Sequence, residues 1–227
     1  MKKIKTIIAG TLVASMLFSA TACSLGGGKF GPSKLAAYCK GEGAELYTDS
    51  DDWEDDLDDL VNKGDYKIIK DGIYVHVKGD DVKEYLKSSS VTNTFYDKAV
   101  KDATVYIIGN EKSGDTTVVM AAALTFDNKD DALDFYEDGA DGMEDDYKDD
   151  KDYSWYNVDF DTFEEGSMQY ALFFEEDTDW EDTTVGGIYL QGTTVFFIIG
   201  KGDSKKDVNG YVDDICEGLG VAAPSEL

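Results

Sequence analysis

Three acidic runs are the densest clusters of residues that could do chemistry: DSDDWEDDLDD (49–59), EDDYKDDKD (144–152) and EEDTDWEDT (175–183). Calcium needs several oxygens converging from one loop. Asp177, Asp179, Glu181 and Asp182 are the densest local set, in an expected loop between strands, so they are the candidate calcium ligands. No window has the D-x-[DN]-x-[DN]-G order of an EF-hand. The competing reading is a solvated acidic loop, and the sequence points to no other cofactor. Two tryptophans sit among acids, Trp53 in DDWED and Trp180 in TDWED, and Trp155 lies in SWYN. An exposed indole beside carboxylates can stack on a sugar and hydrogen-bond its hydroxyls, which makes Trp180 and Trp53 candidate ligand-binding residues. The alternative is structural: Trp53 anchoring its helix to the core and Trp180 covering a sheet edge.

Other chemistries are thinly represented. His76 is the one histidine, so a site built on two imidazoles is excluded. Alternation in IYVHV sets Ile73, Val75 and Val77 on one face and Tyr74 and His76 on the other, which predicts a solvent-facing histidine. GKGD (200–203) precedes a helical pattern but lacks the G-x-x-x-x-G-K-[ST] order of a phosphate loop. A glycoside hydrolase needs two carboxylates at a set separation, and 48 acids offer so many pairs that none stands out. The chain reads as non-catalytic. Cys39 shares helical spacing with Leu35 and Ala36, and Cys216 with Val212, Ile215 and Leu219. In an oxidising compartment they could form a disulfide; otherwise they pack as small buried thiols.

The compartment is written at the N-terminus. Lys2, Lys3 and Lys5 precede Thr6 to Ala22, an uncharged and mostly apolar stretch of 17 residues. A basic start, an apolar middle and small residues before a cut site make a secretory signal peptide over 1–22. Ala20-Thr21-Ala22 followed by Cys23 resembles the lipobox of bacterial lipoproteins, with Ala20 where that family usually carries Leu. The resemblance covers only this segment. It implies that the Cys23 sulfur receives a diacylglycerol, that Cys23 becomes the mature N-terminus, and that the protein is held by lipid on the outer face of the cell membrane. Ser24-Leu25-Gly26-Gly27-Gly28 then supplies a glycine-rich tether, here taken as 23–33 with the cysteine.

Charge narrows the partners. The formal net charge is −27, and removal of the signal makes it more negative by the three lysines lost. Arginine is absent, so no bidentate fork is available for phosphate. Such a surface repels nucleic acid and anionic lipid, which leaves protein or envelope components, cations or neutral sugars as ligands.

The elements that position these residues read as α+β. Helices are expected near Lys34 to Lys40, over Asp52 to Asn62 with Trp53, Leu57, Leu60 and Val61 as its stripe, from Asp81 as a cap, after Asn128 with Ala132, Phe135, Tyr136 and Met143 inward, and from Ser204 to Leu219. Asp71-Gly72 between two β-branched runs predicts a hairpin. Further strands are expected at 104–108, 116–126, 155–160, 168–175, 185–190 and 194–199, with 144–152 as an acidic loop. Short links predict a largely antiparallel sheet with helices on one face. GIYVHVKGDDVKEYL and TVFFIIGKGDSKKDVNGYV share a strand, Lys-Gly-Asp, helix order. This is either a duplication giving two related hairpin-plus-helix halves or reuse of a common unit. The expected body is an N-terminal subdomain over 34–100 and a C-terminal one over 101–227.

Overall fold

The computed structural model describes residues 30–112, 115–179 and 182–227. Cys23, residues 1–22 expected as a signal peptide, Trp180 and Glu181 therefore lie outside the described residues.

Helix α1 (Pro32–Glu42) opens on a proline, whose missing N–H costs nothing in a first turn, and stops at Gly43 in the left-handed region. Strand β1 (Glu45–Leu46) leads to α2 (Ser50–Lys63), where the Asp49 side chain accepts from the amides of Asp51 and Asp52. Acids in that first turn suit the helix dipole. β2 (Ile73–Lys78), α3 (Asp81–Lys87), β3 (Val100–Lys112) and β4 (Asp115–Phe126) follow. Asn128 caps the long α4 (Lys129–Asp150) by accepting from Asp130 and Asp131. β5 (Tyr156–Glu165), β6 (Met168–Asp177), β7 (Asp182–Gln191) and β8 (Thr194–Gly202) form an antiparallel run. Ser204 caps α5 (Lys205–Leu219) through the amide of Asp207, and a short 3-10 turn (Pro224–Glu226) closes the chain.

All eight strands form one sheet in the order β1-β2-β3-β4-β8-β7-β6-β5. Only β1–β2 is parallel. The fold is thus α+β with a largely antiparallel sheet. β4 and β8 join the early and late strands at its centre, from Thr117↔Gly202 to Thr125↔Thr194. The division expected between residues 100 and 101 falls at the start of β3. The sheet runs across it, because β2 pairs with β3 from Ile73↔Ile107 to Lys78↔Asp102.

The helices cover both faces, not the single face expected. Val75, Ile107, Leu124, Phe173 and Ile188 share one core cluster with Trp53 and Leu57 of α2, Val82 and Leu86 of α3, and Ala132 and Met143 of α4. Tyr106, Ala121, Leu172, Tyr189 and Ile198 share a second with Leu35 and Cys39 of α1 and Val212 and Ile215 of α5. The physical reason is the central strand sequence: Ala121, Ala122, Ala123 and Leu124 are all buried, so β4 offers an apolar side chain to both faces. The two echoed units each keep the local order, Val75 under α3 and Ile198 under α5, but their helices close opposite faces.

Three further expectations are corrected. Tyr66–Ile69 forms a 3-10 turn rather than the first arm of a hairpin: Asp65 caps its start, Ile69 is buried, and Gly72, with φ +81°, leads into β2. Residues 144–150 continue α4 instead of forming a loop. Val61 does not join the inner stripe of α2 and is 59% exposed.

Candidate functional site

The chemistry gathers at one end of the sheet, where α4 stops over β5, β6, β7 and β8. Glu175 follows Phe173 on the α4 side of β6, and the ladder sets it opposite Val158 on one flank and Thr184 on the other. Thr184 in turn lies opposite Lys201 of β8. The last turns of α4 bring Asp146 and Asp150 to the same place. Burial, with Asp150 close enough to hydrogen-bond, pushes the Glu175 carboxyl up to about 7. Lys201 works against that rise from the other side. Asp146 is raised too, by burial and then by Asp150 and Asp149. Glu175 is thus a carboxyl that titrates near neutrality beside a second carboxyl group, that of Asp150. A group titrating there can exchange a proton with the carboxyl beside it.

The candidate calcium ligands divide among other tasks. Asp177 and Asp182 are directly opposed at the ends of β6 and β7. The Asp177 carboxylate accepts from the Asp179 amide at 2.9 Å, which holds the turn. Asp182 pairs with the Lys201 ammonium at 2.9 Å. Glu181 is outside the described residues. Among the described residues, no three His, Cys, Asp or Glu side chains are grouped so as to hold a metal ion.

Trp53 is not a surface platform. Its side chain is fully buried, with its ring edge-on to Tyr47 at 5.4 Å, so it anchors α2 and is corrected as a ligand-binding residue. Burial was legible in its spacing with Leu57 and Leu60. The exposed aromatics are instead Tyr153 and Trp155, just ahead of β5. They stack at 4.9 Å and 27° and are 48% and 41% exposed. The Trp155 carbonyl accepts from both the amide and the hydroxyl of Thr178, which fixes this corner to the β6–β7 turn.

Cys39 and Cys216 are buried free thiols in the second core cluster, so the disulfide considered from sequence is not made. Burial pushes both thiols up to about 12, far from the reactive thiolate. His76 is half-buried rather than solvent-facing. Its Nε2 lies 3.2 Å from Asp102, whose other oxygen takes Lys78 at 3.0 Å. Burial opposes the charge on Asp102, but His76 and Lys78 outweigh it and hold the carboxyl below its ordinary range. The sequence had no signal for this trio, because Asp102 meets His76 only through the β2–β3 register.

A second acidic hollow, of about 470 Å³, lies beside Tyr47 and is lined by Glu45, Asp49, Asp52, Asp55 and Asp56. Its Tyr47 hydroxyl bonds Asp56.

No family model matches the chain, and no curated protein does. Among solved structures, the extracellular domain of PknH from Mycobacterium tuberculosis is similar with a TM-score of 0.33 at 12% identity, over 56% of this chain and 69% of that one. A likeness at that score carries no argument here. No helix among the described residues is long and apolar enough to cross a membrane.

Proposed function

We propose that this chain is an exported, lipid-anchored, non-catalytic binding or accessory module of the bacterial cell envelope, serving a protein or envelope component. The observation that carries the reading is the distance between its anchor residue and its core. Cys23 follows Ala20-Thr21-Ala22, and only residues 24–29 separate it from Phe30, which is fully buried against Tyr189 and Phe196. Seven residue steps span at most about 25 Å. A lipid on Cys23 therefore holds the folded body close to the bilayer.

The fold supports the direction of presentation. Gly31 lies beside Thr194, at the β7–β8 turn. Glu175, Asp182, Tyr153 and Trp155 belong to the opposite end of those strands. Nine residue steps along β7 put the two ends about 30 Å apart. The acidic and aromatic end then points away from the anchor, and a strongly acidic body is repelled from anionic headgroups. The sugar-binding alternative loses Trp53, and no observation favours it over a protein ligand.

The test is membrane partition. Wild-type chain, expressed in a lipoprotein-processing bacterium, is expected in the detergent-soluble membrane fraction, and Cys23→Ser in the aqueous fraction. Equal aqueous recovery of both would overturn the anchored reading and leave a freely secreted protein.

A further inference from the structure

β5 is the long free edge of the sheet. Among the described residues it pairs with β6 alone, whereas the strand at the other edge, β1, has only two residues. A free edge presents a row of N–H and C=O groups that can template another chain. Here two of those amides are occupied by the strand's own side chains. The Phe160 amide donates to the Asp159 carboxylate at 3.0 Å, and the Thr162 amide to Asp161 at 2.8 Å. The two-residue turn Gly166-Ser167 makes Glu165↔Met168 a hydrogen-bonded pair, so the odd-numbered amides of β5 face β6 and those of Phe160 and Thr162 face the side without a partner. Asp159 and Asp161 are exposed.

This arrangement selects what can dock. A neutral strand would have to displace two charge-assisted hydrogen bonds and cover two carboxylates with nothing to pair them, which is costly. A second copy of this chain fares worse, since its own β5 would set acid against acid. A strand carrying cations at alternate positions gives Asp159 and Asp161 a better partner and frees both amides for main-chain bonds. The stacked faces of Tyr153 and Trp155, immediately ahead of the strand, suit a further cation. The net charge of −27 draws the same class of partner from a distance.

We propose that β5 is a docking edge for an extended, basic segment of a partner protein, whose cations pair with Asp159 and Asp161 while its backbone takes the Phe160 and Thr162 amides. This deepens the reading of the chain as a binding module and rests on it.

The experiment uses the full exported chain and a ten-residue probe peptide alternating lysine with threonine, beside the same peptide with glutamine for lysine. Amide hydrogen exchange is read at Phe160 and Thr162. The lysine peptide is expected to slow both amides by about tenfold or more, and the glutamine peptide to leave them unchanged. Asp159→Asn with Asp161→Asn is expected to weaken the lysine peptide about tenfold, while Asp55→Asn with Asp141→Asn, equal charge removed elsewhere, changes it less than about twofold. Bound lysine peptide with no slowing at Phe160 and Thr162 would overturn the proposal. So would equal weakening by the remote pair, or equal slowing by the glutamine peptide. The wild-type exchange result does not depend on either variant folding, and none of these results bears on whether Cys23 carries lipid.

Discussion

Glu175 is a carboxyl whose proton the fold holds up to neutral pH. In the unfolded chain it titrates at an ordinary 4.5, and in the folded chain at about 7. Between those values the native state holds a proton that the unfolded state releases. Stability therefore falls as pH rises through that window. Glu175→Gln removes the effect. Urea unfolding should find the variant more stable than wild type by about 1 kcal/mol at pH 8, well short of the full shift because solvent still reaches the group. At pH 4.5 the two should agree. A difference that is constant with pH would mean that the carboxyl does not carry the proton. None of this was legible in the sequence, because Glu175, Asp150 and Lys201 meet through one helix end and two strand registers. Trp53 was legible, since its spacing with Leu57 and Leu60 is a helix period. That Cys39 and Cys216 stay free thiols was not, because shared burial in one cluster does not set sulfur geometry.

At the scale of elements, most helices and strands could be read from period and caps, and the misses have local causes. Asp71-Gly72 is a strong turn signal, yet Asp65 capping a 3-10 turn and the burial of Ile69 gave the preceding residues a better use than pairing. The run 144–152 reads as a loop by charge alone. Tyr147 continues the spacing of Met143, meets Phe160 at 6.2 Å, and Lys148 bridges to Glu144 at 2.9 Å, so the helix persists. Helices on both faces follow from a central strand apolar on both sides, which a search for alternation overlooks. Glycines set how closely α5 approaches. A Cβ at Gly200 would sit 2.8 Å from Val212 and 3.0 Å from Val208, whereas one at Gly210 would meet nothing within 4 Å. Gly200→Ala should cost about 1–3 kcal/mol by pushing α5 off the sheet, and Gly210→Ala should gain about 0.5–1 kcal/mol from helix propensity. Chemical denaturation of the two variants checks both, and a neutral Gly200→Ala would show that α5 shifts freely.

The described residues form an acidic sheet covered on both faces, with Phe30 and the β7–β8 turn at one end and Glu175, Asp182, Tyr153 and Trp155 at the other. With Asp182 engaged by Lys201 and Asp177 holding the turn amide, the acids are expected to act as surface charge. Millimolar Ca²⁺ and Mg²⁺ at matched ionic strength should therefore raise the thermal midpoint equally, by screening. A calcium-specific rise would restore Asp177, Asp179, Glu181 and Asp182 as a metal site. Composition pointed away from nucleic acid as a partner and the N-terminal segment pointed to export, but neither chose a partner, because a surface this uniformly acidic distinguishes its ends only once folded. Whether the chain is anchored turns on Cys23. The most direct measurement is the mass of the N-terminal peptide from protein made in a lipoprotein-processing host. A peptide beginning at Cys23 and carrying a diacylglycerol is the expected result; one beginning at an unmodified Cys23, or retaining residues 1–22, would contradict it.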